Sequence, residues 1–239
     1  MGNTLRFSGS EDDCPICKGA GFVRLDVPVG HPNFGRLIPC ECKVHEREAR
    51  LLREYLELSG LDQLEHWTFE TFDPRVPGVA EAYAACVEYA RNPDGWLFLL
   101  GGYGCGKTHL AAAVANYVLQ HQRMFPLFTV VPDLLDHLRA AFAPDRGASY
   151  DARFEQVRNA GLLVLDDLGT EHTTSWATEK LFQLINYRYN QRKPTIITSN
   201  RDLDHLDERI RSRLCDRWIC KPIFIKAGDY RLRRSRLSP

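Results

Sequence analysis

The sequence predicts an α/β protein whose core has three layers, with helices on both faces of a mostly parallel sheet. Two observations support this class: apolar runs of strand length alternate with stretches of helical periodicity, and a glycine-rich loop joins one such run to a helix. A third observation, four closely spaced cysteines before residue 43, predicts a small additional module. A chain of 239 residues has room for both parts.

The glycine-rich loop at residues 101–108 follows the apolar run 96–100 and fits the phosphate-loop pattern of Gly, four residues and Gly-Lys-Thr. Its glycines let backbone N–H groups turn toward a polyphosphate, and the following helix adds its positive dipole end. Lys107 supplies a charge for the β- and γ-phosphates, and the Thr108 hydroxyl is placed for Mg²⁺. The predicted ATP-binding residues are Gly101, Gly102, Tyr103, Gly104, Cys105, Gly106, Lys107, Thr108 and His109.

A second functional stretch, residues 162–171, begins with four apolar residues that suit a strand covered on both faces. Asp166 and Asp167 follow at its carboxyl end, the edge at which parallel sheets bind ligands. We expect Asp166 to hold the Mg²⁺ shell and Asp167 to orient the attacking water. A further buried strand is predicted at residues 194–200, and it ends in polar residues. The last of them, Asn200, is a candidate to hydrogen-bond the lytic water or the γ-phosphate; the alternative is an ordinary strand-end turn.

The other elements follow from apolar spacing. Helices are predicted at residues 77–91, 109–120, 132–142, 150–159, 175–190 and 206–214, and strands at 126–131 and 218–225. Three arginines at alternate positions of the 206–214 helix fan around it, so at least one should project away from the core. In the aromatic segment 67–74 we expect core side chains, with Phe69 and Phe72 as candidates to border an adenine pocket.

Two cysteine pairs, Cys14 with Cys17 and Cys40 with Cys42, have the spacing of a closed, structural four-cysteine zinc site. The residues between the pairs have room for two short strands and a turn, and they can bury little apolar surface. Zinc would therefore supply most of the folding free energy of this module. The alternatives are His31 or His45 in place of one thiolate, or four reduced thiols in a loop-rich region.

These features divide the chain into four parts: a disordered segment at 1–13, a zinc-binding module at 14–42, a linker helix at 43–65 and an ATPase domain at 66–239.

Lys plus Arg equals Asp plus Glu at 31 each, so the total charge favours no class of partner. Residues 201–239 carry an excess of basic side chains, which is either a solvated face or a contact for an anionic partner. Without a signal peptide or a membrane-length apolar run, we expect a cytoplasmic protein and no membrane partner.

With these motifs, the chain resembles the AAA+ ATPases, and within them the bacterial replicative helicase loaders of the DnaC and DnaI type and the related IstB-like transposition ATPases. The resemblance covers about residues 66–235 and rests on residues 101–108, 163–169, 198–200 and 208–214. It implies a P-loop AAA+ domain with Asn200 at sensor 1 and Arg231 at sensor 2. It also implies that Arg213, with Arg209 as a second candidate, is the arginine finger that acts on ATP bound by a neighbouring subunit.

The cysteine cluster resembles the zinc-binding amino-terminal domain of helicase loaders, which in that family contacts the hexameric helicase. The resemblance therefore implies an ATP-dependent loader of the replicative DNA helicase onto single-stranded DNA, self-associated through AAA+ interfaces. An IstB-like ATPase that regulates transposition through duplex DNA is the alternative.

One position departs from the AAA+ pattern, because most AAA+ proteins have Glu where this chain has Asp167. Glu171 is then a possible substitute for the catalytic base. We expect slow, partner-stimulated hydrolysis, which suits a switch; an ATP-gated adaptor that does not hydrolyse ATP is a third possibility.

Overall fold

A computed structural model describes residues 14–47, 59–122, 124–141, 147–171 and 174–234. The segment predicted to be disordered and residues 48–58 of the predicted linker helix lie outside these ranges. The chain divides into two compact units, Met1–Glu54 and Tyr55–Pro239.

The first unit contains a short antiparallel strand pair, β1 (Phe22–Arg24) and β2 (Leu37–Pro39). Residues 41–47 are helical and form α1. The two strands are those for which the sequence left room between the cysteine pairs.

The second unit is built on a five-stranded, fully parallel sheet with the strand order β4-β5-β6-β3-β7. Its strands are β3 (Trp96–Gly101), β4 (Pro126–Val130), β5 (Leu162–Asp166), β6 (Thr195–Ser199) and β7 (Cys220–Ile225). Its helices are α2 (Ala80–Arg91), α3 (Lys107–His121), α4 (Val131–Ala141), α5 (Gly147–Asn159), α6 (Ser175–Asn190), α7 (Glu208–Leu214) and α8 (Tyr230–Arg234). Short 3₁₀ helices lie at Asp62–Leu64 and Leu203–His205.

Helices cover both faces of this sheet. Alternate residues of β3 point to opposite sides, so Leu97 and Leu99 pack with α2 and α3, whereas Phe98 and Leu100 pack with α4, α6 and α7. The central strands are buried on both faces, which explains their nearly continuous apolar sequences. The predicted three-layer α/β class is confirmed.

Several boundaries differ from the sequence prediction. The helix expected from residue 77 begins at Ala80, and the helix after the glycine-rich loop begins two residues early, at Lys107. The strand expected from residue 218 begins at Cys220, leaving Trp218 in an exposed turn. The sequence did not predict α8. Among the described residues, no helix combines the length and apolar character needed to cross a bilayer.

Candidate nucleotide site and cysteine cluster

A cavity of about 770 Å³ lies at the carboxyl edge of the sheet, where the loop after β3 meets α3. Its volume is in the usual range for small-molecule sites, and this edge of a parallel sheet is the usual place for them. Its lining includes the loop residues 103–109, Asp167 and Arg231. The predicted phosphate loop and three other segments of the chain therefore meet in one cavity, the others being residues 66–79, the end of β5 and residues 227–231.

Two glycines of the loop adopt backbone angles that disfavour other residues, with φ of 65° at Gly104 and 101° at Gly106. A Cβ on Gly106 would lie 2.9 Å from the Phe72 ring, and one on Gly104 would overlap the Asp229 carboxylate. The backbone N–H of Tyr230 also donates to the Gly104 carbonyl at 3.0 Å. The loop is therefore packed against the aromatic segment and the carboxyl-terminal segment at once, and larger residues would break both contacts.

The Lys107 side chain is buried within the loop. Its Nζ donates to the carbonyl oxygens of Gly101 at 2.9 Å and Gly102 at 2.8 Å. These contacts hold the ammonium group against the loop, where the P-loop pattern requires a positive charge.

Asp166 is the buried carboxylate of the site. The Thr198 hydroxyl of neighbouring β6 donates to its Oδ1 at 2.6 Å and accepts from the Asp167 N–H at 2.9 Å. Burial is the main cause that raises the pKa of Asp166 to about 6; the Asp167 charge adds to it, while hydrogen bonds from the hydroxyls of Thr198 and Thr108 oppose it. The Asp166 carboxylate and the Thr108 hydroxyl lie side by side in a site that disfavours an uncompensated negative charge, and these two groups are oxygen ligands of the kind that Mg²⁺ binds.

The two candidates for the catalytic base lie in different environments. Asp167 lines the cavity and has a left-handed backbone conformation with φ of 58°. The Glu171 carboxylate instead accepts a hydrogen bond from the Gly169 N–H at 2.8 Å, and Glu171 is not among the cavity residues. The geometry therefore favours Asp167 over Glu171 as the candidate to orient the attacking water.

An aromatic wall borders the cavity on the side of residues 66–73. His109 stacks on Trp67 with 5.3 Å between the ring centroids and meets the edge of Phe72 at 5.1 Å. The His109 Nε2 atom lies 3.0 Å from the Thr68 carbonyl oxygen, and burial lowers the pKa of His109. A neutral imidazole that donates to this carbonyl fits both observations.

Of the two phenylalanines proposed for an adenine pocket, Phe72 lines the cavity. Phe69 packs edge-on against Tyr83 and Tyr117 and does not line it, because its ring points toward the interface between α2 and α3. Of the two alternatives that the sequence offered, the structure therefore favours Phe72.

The remaining predicted residues differ in whether they line the cavity. Arg231 lines it, as sensor 2 would. Asn200 does not, but its Oδ1 is buried without a hydrogen-bond partner among the described residues. Arg209 and Arg213 lie on α7 and do not line the cavity of their own chain.

The sequence prediction missed Thr198 and Trp67 as site residues. Thr198 connects the two strands that carry the acidic and amide side chains, and the signal for it was a hydroxyl residue within a buried apolar strand. The signal for Trp67 was its position in the aromatic segment that precedes the core. Further missed residues of the cavity lining are His66, Thr71, Asp73, Val76, Val79, Ala227, Gly228 and Tyr230.

In the first unit, the sulfur atoms of Cys14, Cys17, Cys40 and Cys42 lie within 4.8 Å of one another. The Sγ atoms of Cys14 and Cys40 are 3.8 Å apart and those of Cys17 and Cys42 are 3.4 Å apart, too far for disulfides. Four sulfurs bound tetrahedrally at about 2.3 Å would be about 3.8 Å apart, so the cluster fits zinc. His31 and His45 are not part of the cluster.

Hydrogen bonds within the cluster favour the thiolate of Cys17 and oppose that of Cys42. Burial opposes ionisation of Cys17, but hydrogen bonds from the Cys42 thiol and the Gly21 N–H outweigh it and lower the pKa of Cys17 to about 6. The hydrogen bond with Cys17, together with burial, raises the pKa of Cys42 to about 12. All four thiolates together therefore require a cation between them, as in a structural zinc site.

The fold and the nucleotide site together define a P-loop ATPase of the AAA+ class. A model of the IstB-like ATP binding protein family matches residues 36–238, most of the chain. The chain therefore belongs to this family of ATP-binding proteins, and the family expected from the sequence is confirmed.

Relatives with curated names include replication proteins. The uncharacterized protein YqaM of Bacillus subtilis (strain 168) is 28% identical over 193 residues, which are 73% of this chain and 59% of that protein. The chromosomal replication initiator protein DnaA of Pseudothermotoga lettingae is 32% identical over 154 residues, 63% of this chain and 34% of the initiator. The chain thus spans less than two thirds of the length of these relatives. The replicative helicase loader DnaC of Escherichia coli (strain K12) is 25% identical over 176 residues, 72% of this chain and 71% of the loader.

Solved structures give the same grouping. The crystal structure of the DnaC helicase loader has a TM-score of 0.60 and 26% identity, covering 67% of this chain and 97% of that chain. The crystal structure of DnaI has a TM-score of 0.55 and 25% identity, covering 68% of this chain and 89% of that chain.

Proposed function

We propose that this protein is an ATP-switched loader that places a hexameric replicative DNA helicase on single-stranded DNA. The observation that carries this proposal is the presence, in one chain, of a four-cysteine cluster and an AAA+ domain. That domain is similar in fold to the DnaC helicase loader over 97% of the loader's solved chain. The resemblance of the cysteine module to the amino-terminal domain of such loaders supports the choice of a helicase as the partner.

In this proposal, ATP binds in the cavity at the carboxyl edge of the sheet. The N–H groups of the glycine-rich loop bind its phosphates, and Lys107 exchanges its contacts with the Gly101 and Gly102 carbonyls for contacts with the β- and γ-phosphates. Thr108 and Asp166 are the residues that would hold magnesium, whose charge offsets that of the phosphates.

Hydrolysis needs a positioned water and compensation of the charge that develops on the phosphates. Asp167 is the group that orients the water, and its side chain is one methylene shorter than the usual glutamate, which supports slow turnover. Asn200 and Arg231 contact the phosphates within the same chain, and Arg213 contacts them from a neighbouring copy. The change between ATP and ADP states then alters the affinity for helicase and DNA.

The first unit, held together by zinc on Cys14, Cys17, Cys40 and Cys42, serves in this proposal as the docking module for the helicase. The location would be the cytoplasm, where the helicase and its single-stranded template are found.

A helicase-loading assay tests this function. Purified protein is mixed with the replicative helicase of its own organism and with single-stranded DNA coated by single-strand-binding protein, and unwinding of an adjoining duplex is followed. We expect ATP-dependent unwinding with the wild type and with Lys221→Ala, a change of an exposed lysine, but not with Lys107→Ala.

Two results would contradict the proposal. Absence of binding between the intact protein and the helicase in a pull-down would exclude the loader function. ATPase activity stimulated by duplex DNA, without contact to the helicase, would instead indicate the transposition regulator.

A further inference from the structure

Two arginines of α7 lie on the same side of that helix and cover one aromatic ring of α6. The guanidinium carbons of Arg209 and Arg213 are 4.1 and 4.8 Å from the centroid of the Phe182 ring. Residues four apart on a helix share a face, so both side chains point toward α6. The third arginine, Arg211, pairs with Asp204 at 2.9 Å instead.

The two stacked arginines differ in their hydrogen-bond partners, which are carboxylates for one and an amide for the other. Arg209 forms ion pairs with Asp207 at 3.2 Å and Glu179 at 3.1 Å, and hydrogen bonds to these carboxylates raise its pKa. Arg213 donates from Nε at 3.1 Å and from Nη2 at 2.5 Å to the Oδ1 atom of Asn186. Among the described residues, no carboxylate lies within ion-pair distance of Arg213.

The contacts of Arg213 fix its side chain without using all of its donors. Nη1 donates to the Arg209 carbonyl at 2.7 Å, so three of the five N–H groups of the guanidinium are bound within the described part of the chain. The Tyr189 ring, 5.5 Å from the guanidinium carbon, borders it as well. The two remaining N–H groups are on the terminal nitrogens, and they are sufficient for a bidentate contact with a phosphate.

We propose that Asn186 is a positioning residue that holds Arg213 in place while leaving its positive charge uncompensated. Arg213, and not the doubly ion-paired Arg209, is then the arginine offered to ATP in an adjoining copy of the chain. This inference rests on the proposed function, because it requires self-association. An amide at position 186 fixes the guanidinium through one oxygen, whereas a carboxylate of the same shape would form an ion pair and neutralise it.

The critical variant is Asn186→Asp, which changes charge and almost nothing else. In steady-state ATPase assays of the full chain with single-stranded DNA, we expect kcat to fall at least about 10-fold, because an arginine finger contributes about 10³–10⁵ in such enzymes. ATP affinity should stay within about two-fold, because position 186 lies outside the cavity. Arg213→Ala should lower kcat at least as much, and Arg209→Ala should lower it less than about three-fold.

A mixing experiment separates a positioning role from a merely structural one. Lys107→Ala chains cannot bind ATP in the proposal but retain an intact Arg213, so adding them to Asn186→Asp chains should restore turnover at the ATP sites of the latter. The double variant Asn186→Asp/Arg213→Ala should lose no more activity than Arg213→Ala alone, because both changes act through one guanidinium. Asn186→Leu, which has a similar size but no acceptor for the guanidinium, serves in its place if the aspartate variant does not fold, and it should also lower kcat because Arg213 is then no longer held.

The outcomes distinguish the two levels of the argument. If Arg213→Ala abolishes stimulated turnover but Asn186→Asp, or Asn186→Leu in its place, behaves as the wild type or is not rescued by mixing, the positioning role of Asn186 is wrong, whereas Arg213 remains the arginine finger. If Arg213→Ala itself retains full turnover in assemblies, Arg213 is not the arginine finger, and the positioning role of Asn186 is then wrong as well.

Discussion

Thr198→Val tests whether one buried hydroxyl holds the acidic end of β5 in place. Thr198 is fully buried, and its hydroxyl both donates to Asp166 at 2.6 Å and accepts from the Asp167 N–H at 2.9 Å. Valine has nearly the same shape, so the change removes the two hydrogen bonds without opening a cavity. Losing the bond to a carboxylate costs about 1.5–3 kcal/mol, and an unpaired buried N–H costs about 1–3 kcal/mol more.

Since the neighbouring groups relax in part, we expect the free energy of unfolding to fall by about 3 kcal/mol. For a domain of this size, that loss lowers Tm by roughly 6–12 °C. The assay is thermal and urea unfolding without nucleotide, followed by titration with MgATP. The MgATP affinity of the variant should also fall, because Asp166 and Asp167 both lose the contact that orients them.

Two further variants serve as controls for this prediction. Thr129→Val removes a strand hydroxyl whose contact is a long 3.5 Å bond to the adjacent Val130 carbonyl, and it should change stability by less than about 0.5 kcal/mol. Thr198→Ser keeps the hydroxyl and should retain most of the MgATP affinity. A Thr198→Val protein with the stability and affinity of the wild type would refute the reasoning.

Three more predictions concern the loop, the core and the cysteines. Gly104→Ala should weaken ATP binding at least about 10-fold by calorimetry, because position 104 has positive φ and no room for a Cβ. Gly102→Ala is the control: its Cβ would enter open space, so ATP should bind within about three-fold of the wild type. Equal affinities of the two variants would show that the loop tolerates the change at position 104. Arg188→Met should lower the free energy of unfolding, measured in urea, by about 3–5 kcal/mol, because this buried guanidinium donates to three carbonyl oxygens and one hydroxyl. Lys221→Met, which loses an exposed ion pair, should cost less than about 1 kcal/mol. Similar losses in the two variants would contradict the structural role of Arg188. Metal analysis should find about one zinc per wild-type chain and clearly less after Cys17→Ser, and a wild type without bound metal would remove the proposed role of the cluster.

The phosphate loop could be predicted from sequence because its function depends on backbone geometry that only certain residues permit. Gly104 and Gly106 adopt positive φ values, which glycine reaches without steric cost, and Lys107 must follow at a fixed spacing. The cysteine cluster was predictable for a similar reason, since a tetrahedral cation restricts the spacing of its ligands.

The contacts around these motifs could not be predicted, because they join residues that are far apart in the chain. The sequence offered Phe69 and Phe72 as equal candidates for the nucleotide pocket, and helix packing placed Phe72 in it and Phe69 between two tyrosines. Similarly, the sequence offered Asp167 and Glu171 as candidates for the base, and the tertiary structure places Asp167 in the cavity lining while the Gly169 N–H binds Glu171.

The sequence by itself determined the fold class, the identity of the phosphate loop and the four thiols, because apolar periodicity, glycine backbone freedom and ligand spacing are local properties. Only the tertiary structure decided which polar groups meet across strands and helices, such as Thr198 with Asp166 and Asn186 with Arg213. These pairs depend on the order of the parallel strands and on how helices pack beside them. Neither the strand order nor the helix packing is encoded in any single segment of the chain.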